Sequence, residues 1–173
     1  GVAGFVGSHL ARRLVKEGDE VFGVDSLICG FTENIKDLLN MPSFHFRVGD
    51  IRGKNICDNT QISSPPDTID YVWHLAARGE VYWCRDNPEA ALDVNVNGTL
   101  NILRAAKEVD CKHFFFAPTT EWMAPNTITP MGYYPITKMC ASQFVRSFGK
   151  KNDIGTTLFR YTNIYGPSMN LDR

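Results

Sequence analysis

Closely spaced cysteines are missing from this chain. The five present, Cys29, Cys57, Cys84, Cys111 and Cys140, stand far apart and form no Cys-x-x-Cys pair. That spacing argues against a zinc ribbon or a disulfide framework and reads as reduced thiols of a cytoplasmic protein. Long apolar runs are missing too; none approaches the ~20 residues that a membrane span needs. There is no excess of charge of one sign either: 18 basic and 19 acidic residues give a formal net charge of -1. Such a chain has no basic field to gather nucleic acid or an anionic membrane surface. A charged opening followed by an apolar stretch, the mark of a secretory leader, is not seen. No His, Cys and acidic residues fall at metal-ligand spacing, so no metal is expected.

What the chain does have is a rhythm. Apolar β-branched runs alternate with helical patterns, the βαβ order of a parallel sheet packed with helices. Phe5, Val6, Leu10, Leu14 and Val15 recur at helical spacing, which predicts a helix over 5–16 that Gly18 stops. Strands are predicted at 20–25, 44–48, 69–75, 112–117 and 156–161. Long helices are predicted at 87–109, with Pro88 tolerated in the first turn, and at 134–150. Phe114, Phe115 and Phe116 read as strand core. Pro65-Pro66 and residues 118–130 read as loops.

The most specific local signal is Gly1-Val2-Ala3-Gly4-Phe5-Val6-Gly7, a Gly-x-x-Gly-x-x-Gly that opens into a helix. The first glycine permits a tight turn, the second lets the backbone approach a pyrophosphate, and the third lets helix and strand pack closely. The free N–H groups of the helix N-terminus then face the anion. Asp25 ends the next strand, near the ~20-residue offset of the acid that binds an adenine ribose hydroxyl. No Arg or Lys occurs from Ser26 to Ile35, so a 2′-phosphate would meet a carboxylate and no cation. NAD is therefore favoured over NADP.

Six stretches, in order, give the chain a resemblance to the NAD-dependent epimerase/dehydratase family, extended short-chain dehydrogenases that modify nucleotide sugars. They are the glycine loop with its helix, Gly49-Asp50-Ile51-Arg52, His74-Leu75-Ala76-Ala77, Asn95-Val96-Asn97-Gly98-Thr99, Tyr134-Pro135-Ile136-Thr137-Lys138, and Arg160 through Pro167. The resemblance implies an α/β fold, a Rossmann-type doubly wound parallel sheet. A glycine motif that ordinarily follows a strand begins at residue 1, and no helix closes the C-terminus. Residues 1–173 are thus expected to form one NAD-binding domain truncated at both ends, lacking its first strand and most of the C-terminal substrate domain.

The resemblance also assigns roles. Gly1, Gly4, Phe5, Val6, Gly7, Asp25, Asp50, Ile51, Leu75, Ala76, Ala77, Asn95, Tyr134 and Lys138 would hold NAD. Thr119 and Asn163 would meet the substrate. Tyr134, Lys138, Thr119 and Glu121 would be catalytic. Tyr134 and Lys138 are four apart, so on a helix they share a face. A lysine ammonium beside the phenol favours the phenolate, which could act as base on a sugar hydroxyl at neutral pH. Thr119 would hydrogen-bond that hydroxyl. Glu121, two residues on, matches the Thr-x-Glu of dehydratases and decarboxylases, whose chemistry needs a further carboxylate.

The chain departs from the family in three places. Met123-Ala124 stands where Tyr-Gly is usual, the loop from Thr119 to Tyr134 is short, and Ser142 replaces a common Glu. The first expectation is an epimerase acting through transient oxidation of a sugar hydroxyl to a ketone. A 4,6-dehydratase or a UDP-glucuronate decarboxylase comes second, and a non-catalytic NAD-binding module third. A flavodoxin-like binding fold is a distant fourth, having no need of Tyr-x-x-x-Lys. The expected partners are a nucleotide sugar and a second copy of the chain in a homodimer.

Overall fold

The computed structural model describes residues 1–53, 68–120, 132–167 and 169. In chain order the elements are α1 (Phe5–Glu17), β1 (Val21–Asp25), a 3₁₀ turn (Thr32–Ile35), β2 (Phe44–Val48), β3 (Tyr71–His74), α2 (Val81–Asp86), α3 (Pro88–Leu92), a π turn (Asp93–Asn97), α4 (Gly98–Glu108), β4 (His113–Phe116), α5 (Tyr133–Asn152) and β5 (Gly155–Leu158). Every strand pairing is parallel. β1 pairs with β2, Val21 opposite Phe44, and β3, β4 and β5 form a second sheet with Trp73, Phe115 and Thr157 in register. Among the described residues the strands form two hydrogen-bonded parallel sheets. Gly1 lies between them. Its amine donates to Val24 O at 2.6 Å, and a Cβ placed on it would lie 2.5 Å from Ala76 N. No side chain larger than hydrogen fits there, which explains the first glycine.

Residue chemistry accounts for the rest. α1 stops at Gly18, whose backbone is left-handed at φ 96° and whose N–H caps Leu14 and Val15. Alternation along β4 sends Phe114 and Phe116 inward, where they meet Leu103 and Ala106 of α4 and Ala141 and Val145 of α5. Phe115 points to the other face of the sheet. There it stacks on Trp73, ring centres 3.9 Å apart, and on Phe159 at 5.7 Å. The three phenylalanines therefore divide between two faces instead of forming one core. A second core of Ala3, Ala11, Ile35, Leu38 and Phe44 packs α1 against β1 and β2.

Two predicted elements differ and one helix was not predicted. The helix expected at 87–109 is interrupted by the π turn at Asp93–Asn97, where Asn95 turns its amide inward. α2 went unpredicted because six residues carry too little periodicity to read. β5 is shorter than 156–161: Phe159 N still bonds Phe116 O, but the chain beyond it leaves the sheet. Among the described residues, no helix is long and apolar enough to cross a membrane, and no group of His, Cys and acids could hold a metal ion.

Candidate cofactor cleft and catalytic residues

A cleft of about 450 Å³ runs past the carboxyl ends of all five strands. Its walls are the segments that follow them: residues 25–31 after β1, 49–51 after β2, 75–79 after β3, 117–120 after β4 and 161–164 after β5. In open α/β sheets, ligands bind at this edge.

The glycine loop forms one side. Gly4 is the N-cap of α1 in extended backbone, no side chain caps it, and no acid stands in the first turn. The positive end of α1 is therefore available to an anion, and Phe5, Val6 and Gly7 line the cleft beside it. Gly7 is buried, and a Cβ on it would collide with Gly1 O. Asp25 lies at the adjoining end, almost fully buried. Its Oδ2 accepts from Ala3 N and its Oδ1 from Leu27 N, both at 2.9 Å, which leaves each oxygen a further lone pair. Asp50 lines the cleft after β2. The guanidinium of Arg52, bonded to its Oδ2 at 2.6 Å, holds its carboxyl below the usual range. Ile51 is buried against Gly98, where a Cβ would fall 2.6 Å from Ile51 Cδ1.

Tyr134, Lys138 and Thr119 line the same cleft. Lys138 is 4% exposed, its Nζ 4.4 Å from the centre of the Phe116 ring, and burial lowers its pKa to about 7. α5 is pinned there by buried polar contacts. Thr137 Oγ1 donates to Tyr134 O at 2.9 Å, Asn95 Nδ2 donates to Thr137 Oγ1 at 3.0 Å, and Ser142 Oγ donates to Lys138 O at 2.7 Å. Asn95 also accepts from Arg78 N at 2.8 Å and donates to Arg78 O. It ties the helix bearing Tyr134 and Lys138 to the loop after β3.

His74 sits beneath the site and is not among the lining residues. Thr99 Oγ1 gives its proton to Asn95 O at 2.7 Å, so His74 Nε2 must donate to Thr99, 2.9 Å away, and carries the ring proton. Burial first, then the positive charges of Lys138 and the Gly1 amine, push its pKa well below the usual value. His74 is thus a neutral structural donor.

Most of the residues expected around a dinucleotide line the cleft: Gly1, Gly4, Phe5, Val6, Gly7, Asp25, Asp50, Ile51, Leu75, Ala76, Ala77, Tyr134 and Lys138, with Thr119 and Asn163 beside them. Asn95 does not; it acts from behind the wall. Glu121 and Met123-Ala124 lie outside the described residues. The sequence reading missed Cys29 and Arg78, both in the wall. Arg78 directly follows Ala77, and that adjacency was the available signal.

The profile of the NAD dependent epimerase/dehydratase family matches residues 1–173. The chain belongs to this family. Among its curated relatives, UDP-glucuronic acid decarboxylase 1 of Arabidopsis thaliana is 30% identical over 99% of this chain and 40% of its own length. Among solved structures, the UDP-glucose 4-epimerase of Thermotoga maritima, with UDP-glucose, has a TM-score of 0.84 at 28% identity, covering 98% of this chain and 56% of that one. The Bordetella bronchiseptica enzyme WbmF, solved with NAD+ and UDP, has a TM-score of 0.81 at 26% identity, covering 98% of this chain and 49% of that one. The chain spans about half the length of the relatives it matches. The fold is accordingly the Rossmann fold of the epimerase/dehydratase family, and NAD is the family's cofactor. The cleft fits it on structural grounds: an uncapped helix end for a diphosphate, glycines where a Cβ would block the approach, and a buried carboxylate at the end where a ribose would lie.

Proposed function

We propose that the full-length protein is an NAD-dependent nucleotide-sugar epimerase of the UDP-glucose 4-epimerase kind. One observation carries this reading: Tyr134, Lys138 and Thr119 meet in the same cleft as the uncapped end of α1. The residues expected to hold NAD are those of the glycine loop, Asp25, Asp50, Ile51, the 75–77 segment and the Tyr134/Lys138 pair. When bound, NAD supplies a hydride acceptor that returns what it takes.

The chain's own residues manage the proton. Tyr134 serves as base toward the sugar hydroxyl, and Thr119 orients that hydroxyl by a hydrogen bond. Lys138 is poised for the work. Because burial disfavours its ammonium, a phenolate forming on Tyr134 beside it regains stabilisation that the cofactor-free site lacks. The neutral His74 adds no competing charge. Asn95, through Thr137, holds the register of α5 on which this geometry depends.

A decarboxylase or a dehydratase is the second reading. It is favoured by Thr119-Thr120-Glu121 and by the similarity to a UDP-glucuronic acid decarboxylase. The deciding experiment incubates the full-length protein with UDP-, dTDP- and GDP-sugars and weighs the products. Unchanged mass means epimerisation; loss of water or of carbon dioxide means the second reading. No product from any of them would leave a non-catalytic NAD-binding module.

A second copy of the chain is the proposed protein partner. Leu92 of α3 and Tyr133, Ile136 and Phe144 of α5 are exposed large apolar residues, and spacings of three and eight residues put the α5 members on one side of the helix. Sedimentation of the full-length protein with Phe144→Glu checks this: a dimer that becomes a monomer supports the interface.

A further inference from the structure

Behind the cleft wall a line of hydrogen bonds runs from β3 to α5. His74 Nε2 donates to Thr99 Oγ1 at 2.9 Å, and Thr99 Oγ1 donates to Asn95 O at 2.7 Å. Asn95 Nδ2 donates to Thr137 Oγ1 at 3.0 Å, and Thr137 Oγ1 donates to Tyr134 O at 2.9 Å. His74, Thr99, Asn95 and Thr137 are each no more than 4% exposed, and none of them lines the cleft. The line starts on β3, crosses the first turn of α4 and the π turn, and ends on α5 between Tyr134 and Lys138.

Its direction is set at His74. A hydroxyl has a single proton to give, so Thr99 can serve Asn95 O only while His74 Nε2 carries the ring proton. The other tautomer would turn a bare lone pair toward Thr99 and draw the hydroxyl proton away from the Asn95 carbonyl. A second contact runs alongside: the His74 ring lies 5.5 Å from the Phe116 ring, and Lys138 Nζ stands 4.4 Å from the centre of that same ring. His74 thus reaches Tyr134 through hydrogen bonds and Lys138 through Phe116. Joining the helices does not require such a line, because α4 and α5 already share a core through Leu103, Ala106, Ala141 and Val145. Apolar contacts tolerate sliding, whereas a satisfied buried polar network fixes one arrangement.

We propose that His74 is a positioning residue for the reaction: in its Nε2–H form it fixes the π turn at Asn95 and, through Thr137, the placement of the Tyr134 hydroxyl toward the substrate. The proposal rests on reading Tyr134 as the base. The glycine loop, Asp25 and Asp50, the residues proposed to hold the rest of NAD, lie outside the line. Loss of the His74 donor therefore shifts the base and leaves the cofactor held. A reacting group displaced by ~1 Å can lose about 10²-fold in rate.

The test uses the full-length protein with the UDP-, dTDP- and GDP-sugar panel, together with NAD affinity by calorimetry. His74→Leu and Thr99→Val should each lower kcat about tenfold or more, with NAD affinity and KM kept within about twofold. The double variant should fall no further than either single, since both cut the same line. His74→Gln, whose amide N–H can stand in for Nε2–H, and Thr99→Ser, which keeps the hydroxyl, should restore most of the rate. If His74→Leu does not fold, Thr99→Val and the two conservative variants carry the same comparison. Nitrogen NMR of histidine-labelled protein reads the tautomer without turnover: the signal missing from His74→Gln should show its proton on Nε2. A proton on Nδ1, losses that multiply in the double variant, NAD affinity that falls as far as kcat, or no rescue by the conservative variants overturns the proposal. Tyr134→Phe separates the two ways to fail. If it is inactive while His74→Leu turns over like the parent, only the positioning role falls. If it keeps its rate, or the parent turns over no sugar of the panel, the reading of Tyr134 as base falls and the positioning role with it.

Discussion

The Asp25 carboxylate and the Ala3 amide meet at 2.9 Å, so the acid that would choose the cofactor also clamps the glycine loop. One substitution therefore tests both roles. Asp25→Ala should weaken NAD binding by ~1–3 kcal/mol, the usual cost of a lost charged hydrogen bond, and should also lower the melting temperature because the Ala3 and Leu27 amides lose their acceptor. Asp25→Asn, which retains an acceptor oxygen, should melt closer to the parent yet lose much of the preference for NAD over NADP. Equal affinity of the parent for NAD and NADP would defeat this reading.

The glycines should separate into two classes. A Cβ at Gly7 would overlap Gly1 O, whereas one at Gly4 comes no closer than 3.3 Å to any heavy atom. Gly4→Val is expected to block NAD binding and leave the fold standing, because the added atoms occupy the anion's approach. Gly7→Val is expected to unfold the loop itself. Melting curves and NAD titrations of both variants check the difference; an unchanged affinity in Gly4→Val would count against the phosphate loop.

Lys138 gives a pH dependence with a definite sign. Its pKa is about 7 when folded, against the ordinary 10.5. Between those values the unfolded chain binds a proton that the folded chain does not, so stability rises with pH across that window. The penalty is full below about 7 and gone above 10.5. Cofactor-free protein should therefore gain melting temperature from pH 7 to pH 9, and Lys138→Met should flatten the gain. A parent and variant with parallel profiles would refute the assignment.

Tyr134→Phe in the full-length protein should abolish turnover and spare NAD binding, since the ring is kept and only the proposed base is lost. Retention of most of the parent rate would remove Tyr134 from the mechanism. Glu121→Gln then separates the two enzyme readings. An epimerase should turn over with a modest loss, while a dehydratase or decarboxylase should form no product of lower mass.

Asn95 makes four described hydrogen-bond connections through side chain and carbonyl, to Arg78 twice, Thr137 and Thr99. Asn95→Leu keeps the size and takes away the acceptor of the Arg78 N–H, which should cost about 1–3 kcal/mol for that group left unpaired, while Thr137 keeps Tyr134 O and the Arg78 carbonyl keeps Cys84 Sγ. Chemical denaturation measures this directly. Because Thr137 adjoins Lys138, the variant should also lose more turnover than NAD affinity.

The local motifs were legible because their constraints are local. A helix start needs a cap or a glycine, a strand buried on one face needs alternation, and Tyr-x-x-x-Lys shares a helical face whatever lies around it. The borders read less well. β5 ends at Leu158 rather than Tyr161, and residues 87–109 contain a π turn, because both are set by partners distant in sequence. The resemblance placed Asn95 at the cofactor; what it could not show is that the Asn95 amide bonds Arg78 and Thr137, residues that only folding brings close.

By itself the sequence determined the alternation of strands and helices, the glycine loop, the acid at the end of β1 and the helical pairing of Tyr134 with Lys138. Tertiary structure alone decided the burial that brings Lys138 to about 7, the neutral state of His74, the division of Phe114, Phe115 and Phe116 between two faces, and the meeting of Cys29 with Arg78. The reason is physical. Propensity and periodicity act over a few residues, whereas desolvation and cross-chain hydrogen bonds depend on what other segments lay against a group.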